Sequence, residues 1–380
     1  MYANVLLKLL ERTWESPVFG NSFSAGVLAK RDVVLRQIGA ISDRFAAEIE
    51  PYLTTGMPGT TEKEVKKIIA QIAPKTVGFC PALVAGELDD TKRLSNAGVA
   101  IGLMYWGDQT MDRGDATMPV AVQLLCGQPV APELAQNATA QAQLAALRHI
   151  KQTIDRLAKP EDAPLVYACY DDQVLLHEWR LHELSQAFLK AKNKEAFLER
   201  HGADIARYMI VDAGFPSVAS TLYAVYRQHN AMLPSLPDIY AEPAIITLLQ
   251  ICNAVVRVAD ELGDWQMDAG DHPEWGVFTL NLFNQAHPTL LRAFFEAAGI
   301  HNETQIASLT DAFMGFHANP AARRMHGDYI VETFFEHART YVANLATDTQ
   351  QTYELYITLC KRVLEIGYVN KIGDIAMGGE

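Results

Sequence analysis

The sequence predicts an all-α protein, on three observations. Apolar residues recur at helical spacing through most of the chain. Alternating β-branched runs bounded by turn dipeptides are nearly absent, so strands have no signature. The stretches between periodic segments are short and rich in proline and glycine, as in helices joined by tight loops.

Taken in order, the periodicity predicts helices over 29–51 and 61–73, separated by TTGMPGTT at 54–61. A third, over 92–109, is apolar until its acidic end. Helices over 131–158 and 164–192 are parted by KPEDAP at 159–164, and 194–211 is parted from 216–230 by GFPS at 214–217. After LPSLPD at 233–238 comes a helix over 240–268, with Pro243 suited to a first turn. The remaining helices are expected over 289–299, 303–317, 327–346 and 349–369. No repeat of fixed period and no low-complexity linker divides the chain, so residues 1–380 are expected to form one helical domain. Residues 1–75 are open to reading as a helical appendage.

Composition narrows the function classes. Hydrophobic residues make up 49%, enough for a sizeable core, and 20% charged residues exclude disorder by composition. The net charge of −13 argues against nucleic acid or an anionic membrane surface as a partner. The five cysteines, Cys80, Cys126, Cys169, Cys252 and Cys360, are scattered and contain no CxxC pair, which favours reduced and partly buried thiols. The N-terminal MYANVLLKLLERTWES lacks the pattern of a signal peptide, and no apolar stretch reaches the ~18 residues needed to span a bilayer. A soluble, cytoplasmic protein is therefore expected, without stable membrane insertion; a homodimer is compatible with this reading.

Two acidic stripes carry the functional signal. Asp260, Asp264 and Asp268 stand at i, i+4 and i+8 in RVADELGDWQMD, with Arg257 three residues ahead. Asp108, Asp112 and Asp115 stand in YWGDQTMDRGD. On a helix each set follows one face. Like charges at this spacing destabilise a helix by about 0.2–0.5 kcal/mol per pair, and acids near a helix C-terminus oppose its macrodipole. Two such stripes closing apolar helices call for a cation, and hard divalent ions with oxygen ligands fit best. Mg²⁺ takes a few carboxylates together with waters and substrate phosphate oxygens. Acidic stripes, an arginine and an apolar cavity together imply a diphosphate on a lipophilic tail.

At these residues the chain resembles the class I terpene synthases of bacterial type. That family carries DDxxD or a variant on one helix and (N/D)xxx(S/T)xxxE on a later one. Asp108 and Asp112 match the outer aspartates of the first motif, with Gln109 in place of the second. Asp260 matches the start of the second motif, Asp264 replaces its hydroxyl residue and Asp268 its glutamate. RVADELGD is similar to the family's RxxDDLGT, in which the arginine contacts diphosphate; Arg257 takes that place. The 152 residues from Asp108 to Asp260 are similar to the family separation.

The resemblance implies a single large helical bundle of the class I isoprenoid synthase type with a central apolar cavity. It implies Mg²⁺ as cofactor, three ions in all, for which Mn²⁺ can substitute, and a prenyl diphosphate, farnesyl or geranylgeranyl, as substrate. Asp108, Asp112, Asp260 and Arg257 are then the catalytic group, and Asp264 and Asp268 join the metal set; Asp115 and Asp271 are left open. Loss of diphosphate would yield an allylic cation in a dry pocket, for which Tyr105, Trp106, Trp265, Phe278, Phe334 and Phe335 are candidate linings.

Two further features of the family have counterparts. Its helix break with an arginine, an aspartate and a glycine is matched by RYMIVDAGFPS through Arg207, Asp212 and Gly214, with Asp212 48 residues before Asp260. Its late Arg–Tyr pair is matched by Arg339 and Tyr341, with Arg323, Arg324, Arg362 and Tyr368 competing.

Other signals fall away. HEWRLHE at 177–183 spaces its histidines five apart, about 140° off one helix face, which excludes an HExxH zinc site. Asp171 and Asp172 lack a third partner and read as structural or as support for His177. No GxGxxG, Walker loop or GxSxG elbow occurs. Against the cyclase stands a head-to-head prenyl-coupling enzyme similar to squalene and phytoene synthases, since DQTMD and DELGD are both DxxxD. A chain-elongating prenyltransferase would need two full DDxxD motifs. A non-catalytic helical metal- or lipid-binding protein would explain the fold but not the paired stripes.

Overall fold

The computed structural model describes residues 47, 100, 101, 104, 117–170, 176–265, 280–361, 363 and 364. Among them the regular elements are helices and no strand occurs. The expected segments over 29–51 and 61–73, the 1–75 appendage and Cys80 lie outside this set, Ala47 excepted.

The first described helices are α1 (Thr117–Leu125), α2 (Pro132–Ala135) and α3 (Ala138–Leu157). A single helix over 131–158 is thus corrected to two. Asn137 divides them: its side-chain oxygen accepts from Thr139 N at 2.9 Å and Ala140 N at 3.1 Å, satisfying two of the orphan amides that open α3. Of the helix expected over 164–192, the described parts are α4 (Ala163–Ala168) and α5 (Leu176–Lys190), and the backbone widens into a π-type turn at 169–170. There Tyr170, fully buried, donates its hydroxyl to Met104 O at 3.3 Å.

α6 (Lys194–Asp212) and α7 (Phe215–His229) follow the expected bounds closely. α8 (Leu236–Tyr240) opens with a capping box between Ser235 and Asp238. α9 (Pro243–Asp264) begins with proline in its first turn. α9 is the central helix, packed against α6, α7, α8 and α12. Its Ile245, Leu248, Cys252, Val255 and Val258 are buried, each large apolar side chain contributing about 1.5–3 kcal/mol.

α10 (Pro288–Ala297) and α11 (Glu303–Gly315) lead to α12 (Pro320–Ala343), which begins seven residues before the expected 327. Asn319 caps it through Ala322 N at 2.9 Å, and Pro320 presets its first turn. The helix expected over 349–369 is corrected to α13 (Thr347–Thr352) and a second helical stretch over 354–361, parted at Tyr353, whose φ and ψ are −112° and 21°.

α9 and α12 run antiparallel. Tyr341, near the end of α12, donates to Ala244 O at the start of α9 at 3.0 Å. At the opposite end, a Cβ on Gly327 would stand 3.1 Å from Leu262 Cδ1, so this glycine sets the helices close beside the C-terminal turns of α9. Between these points Phe294, Phe295, Phe313 and Phe334 form one aromatic core, with ring centroids 5.9–6.5 Å apart.

A buried polar knot ties α4, α7 and α8 together. Arg227 on α7 pairs with the fully buried Asp162, and with the half-exposed Glu161 at 2.9 Å; Asp162 also accepts Leu236 N at 2.8 Å. Cys169, Cys252 and Cys360 are buried and form no disulfide, while Cys126 is exposed. Burial pushes the Cys169 thiol up to about 11, against its hydrogen bonds to Tyr240 and Ser220. Among the described residues no helix is long and apolar enough to cross a membrane.

Candidate functional site

The C-terminal turns of α9 carry Arg257 and Asp260, two of the charged residues that the sequence reading singles out. Asn253, Arg257 and Glu261 follow one another at i, i+4 and i+8 and share a face. Asp260 stands on the adjoining stripe and is half-buried.

The face carrying Asn253 and Arg257 meets the break between α6 and α7. Gly214 adopts a left-handed conformation there (φ 68°), open to glycine without the Cβ clash. Asn253 Oδ1 accepts the buried Phe215 N at 3.0 Å, so α9 supplies the cap that opens α7. One turn on, Arg257 Nη1 donates to Asp212 Oδ2 at 3.0 Å, with both side chains about nine-tenths buried. This placement brings Asp212, at the helix break marked by Gly214, against Arg257.

Arg257 also donates through Nε to Glu261 Oε1 at 2.6 Å and forms an ion pair with it through Nη2. Glu261 Oε2 accepts Leu282 N, and Glu261 O accepts Asn281 Nδ2 at 3.0 Å. Asn284 Nδ2 donates to Trp265 O at 2.6 Å, and His317 Nε2 meets Phe283 O at 3.1 Å. The segment 280–285 is thereby stitched to the end of α9 and to the end of α11.

Asp212 and Glu261 flank one guanidinium, Asp260 acts on Asp212, and the electrostatics follow. Burial pushes the Asp212 carboxyl up to about 6; Arg257 opposes this and Asp260 adds to it. His182 on α5 is pushed down to about 4, first by burial and then by the charge of Arg257, so it is neutral at pH 7. Because folded Asp212 holds its proton more tightly than unfolded Asp, its stabilising contribution is present below about pH 4 and is lost as pH rises through about 6. Asp212→Asn removes this loss while keeping an acceptor for Arg257. The difference in Tm, variant minus wild type, is expected to grow from about pH 4 to beyond about 6 and then level off; a constant difference would contradict the buried-carboxyl account.

Other candidates are placed elsewhere. Arg207 is exposed on α6, paired with Asp204 at 3.5 Å and lying 5.0 Å over the Tyr208 ring. Five residues from Asp212, it points about 140° away from it around the helix. Arg339 pairs with Glu336 and lies 4.0 Å from Glu332, and Tyr341 is bonded to Ala244. Ala244 is sixteen residues before Asp260, about 24 Å along α9. Among the described late arginines, Arg323 has its guanidinium 5.2 Å over the ring of Trp265, at the end of α9. Trp265 also packs edge-on against Phe316 and His317. Phe334 and Phe335 are enclosed in the core, and Phe334 sits among Phe294 and Phe295 rather than beside Arg257.

Asp108, Asp112, Asp115, Asp268 and Asp271, Tyr105, Trp106 and Phe278, Asp171 and Asp172, and Arg362 and Tyr368 lie outside the described residues, as does the side chain of Asp264. Among the described residues no group of three or more His, Cys, Asp or Glu side chains is placed to hold a metal ion.

Two residues of this cluster escape sequence reading. Glu261 lies off the aspartate stripe, and its backbone partner Leu282 is 21 residues away. His182 stands in HEWRLHE, where only the zinc spacing was informative; His177 packs on Tyr208 at 5.2 Å while His182 faces Arg257. Neither protein-family models nor curated proteins match this chain.

Proposed function

We propose that the chain is an enzyme of the class I terpene synthase type, which ionises a linear prenyl diphosphate and cyclises the resulting allylic cation. The observation that supports this best is the bond between Asp212, at the helix break, and Arg257, one residue short of a turn before Asp260. It joins two stretches that the family resemblance pairs and that are otherwise 45 residues apart.

Of the residues that the resemblance assigns to Mg²⁺, the described side chain is Asp260, an oxygen ligand of the kind a hard divalent cation takes. Asp260 is close enough to the Arg257–Asp212 pair to be among the causes that raise Asp212. Asp260 and Asp264 would hold Mg²⁺ from α9, and Asp108, Asp112 and Asp268 would complete the set by the resemblance. When bound, Mg²⁺ supplies Lewis-acid stabilisation of the charge developing on the departing diphosphate.

The chain's own residues do the rest. Arg257 offers a fixed, always-charged donor to phosphate oxygens. Asp212 and Glu261 orient it. Arg323, held on the face of Trp265, lies beside the same helix end and adds a second cation.

Incubation with Mg²⁺ and geranyl, farnesyl or geranylgeranyl diphosphate, followed by mass spectrometry of the extract, tests the proposal. Cyclised hydrocarbon or alcohol from one substrate is the expected result. A head-to-head dimer would move the assignment to the prenyl-coupling class that the two DxxxD segments also allow. Failure to release diphosphate from any of the three would end the enzymatic reading.

A further inference from the structure

We propose that Glu261 is a positioning residue for the anion-contacting Arg257, holding its guanidinium in the orientation that substrate diphosphate requires. The inference rests on the reading of Arg257 given above. Glu261 has little local reason to occupy its position. It lies in the last turns of α9, where the macrodipole disfavours an anion. The order Arg then Glu at i, i+4 is the weaker of the two orders, worth a few tenths of a kcal/mol at most. It is only 2% exposed, and a buried carboxylate is costly unless its oxygens are engaged.

Both oxygens are engaged, in different directions. Oε1 takes the Nε edge of Arg257 at 2.6 Å, while Oε2 takes the backbone amide of Leu282. Leu282 belongs to the stitched segment 280–285, whose Asn281 bonds back to Glu261 O and whose Leu280 N meets Ser185 Oγ at 3.3 Å on α5. The carboxylate is therefore anchored to the backbone and cannot follow a swinging guanidinium. With the Nε edge of Arg257 fixed, its Nη1 is directed to the helix break, where it meets Asp212 at 3.0 Å. Glu261 decides where that group points.

The test measures binding of inorganic pyrophosphate in the presence of Mg²⁺ by calorimetry, with the full chain and four variants, beside thermal unfolding of each. Arg257→Lys reports on the reading itself and is expected to bind at least about tenfold more weakly, since a point charge does not replace the planar fork. Glu261→Gln keeps the shape and the acceptors but loses the charge. It is expected to lose about tenfold in affinity, as misplaced contact groups do. Glu261→Asp restores the charge and is expected to recover most of this, to about threefold below wild type. Asn281→Ala loosens the same segment without touching the carboxylate and is expected to stay within about threefold.

A folded Glu261→Gln with wild-type affinity overturns the proposal and leaves the Arg257 reading standing. Equal losses in Asn281→Ala and Glu261→Gln also overturn it, because the role is then one of general structure. If the wild type binds no pyrophosphate, or Arg257→Lys binds as the wild type does, the reading of Arg257 falls and this inference falls with it. Should Glu261→Gln not fold, Glu261→Asp decides, and a loss there as large as that of Arg257→Lys overturns the proposal.

Discussion

Asp260→Asn is expected to lower turnover of the accepted prenyl diphosphate by about 10²- to 10³-fold, the scale on which enzymes lose a group aimed at developing charge. The substitution keeps the volume and removes the charge. Asp260 is half-buried near the end of α9, and its carboxylate already presses on Asp212. Stability should therefore change little, with Tm within about 2–3 °C of wild type. The split between lost turnover and kept stability separates a functional aspartate from a structural one. Steady-state kinetics beside thermal unfolding read both quantities. Turnover within about threefold of wild type would remove Asp260 from the site.

The second large effect concerns the fold. Asp162→Ala is expected to destabilise the protein by about 3–5 kcal/mol, because it leaves Arg227 buried without its enclosed partner and strips Leu236 N of its acceptor. Glu161 pairs with the same nitrogen of Arg227, but its side chain is 48% exposed. Glu161→Ala should cost far less than Asp162→Ala, as loss of an exposed pair does. Urea unfolding of the two variants compares one arginine's two partners and asks whether burial decides their worth. Equal losses would refute that account.

The helices themselves were legible in the sequence wherever an apolar stripe ran unbroken, as over α6, α7 and α10. The early start of α12 was not, because AARRMHGD has no apolar period; the first turns rest on Asn319, Pro320 and the close contact of Gly327 with Leu262. The division at Asn137 was equally hidden, since a capping asparagine inside an alanine-rich run looks like one more helical residue.

Spacing singles out Arg257, Asp260 and Asp212 as candidates, because stripes and fixed separations are properties of sequence. It did not separate Arg323 from Arg339, since only the antiparallel course of α12 decides which arginine reaches the end of α9. It also missed Glu261, whose value comes from a backbone amide in a segment with no helical period of its own.

The contact between Gly327 and Leu262 has a practical consequence. One end of the α9–α12 pair is pinned by Tyr341 on Ala244, and the other is set by a missing methyl group. The two helices thus behave like a clothes-peg whose jaw gap is written at a single position. Alanine or serine at 327 would ask the methyl ends of Leu262 to give by a few tenths of an ångström, and valine would ask for more. Such a series would load the packing next to Glu261 without altering any charged group there.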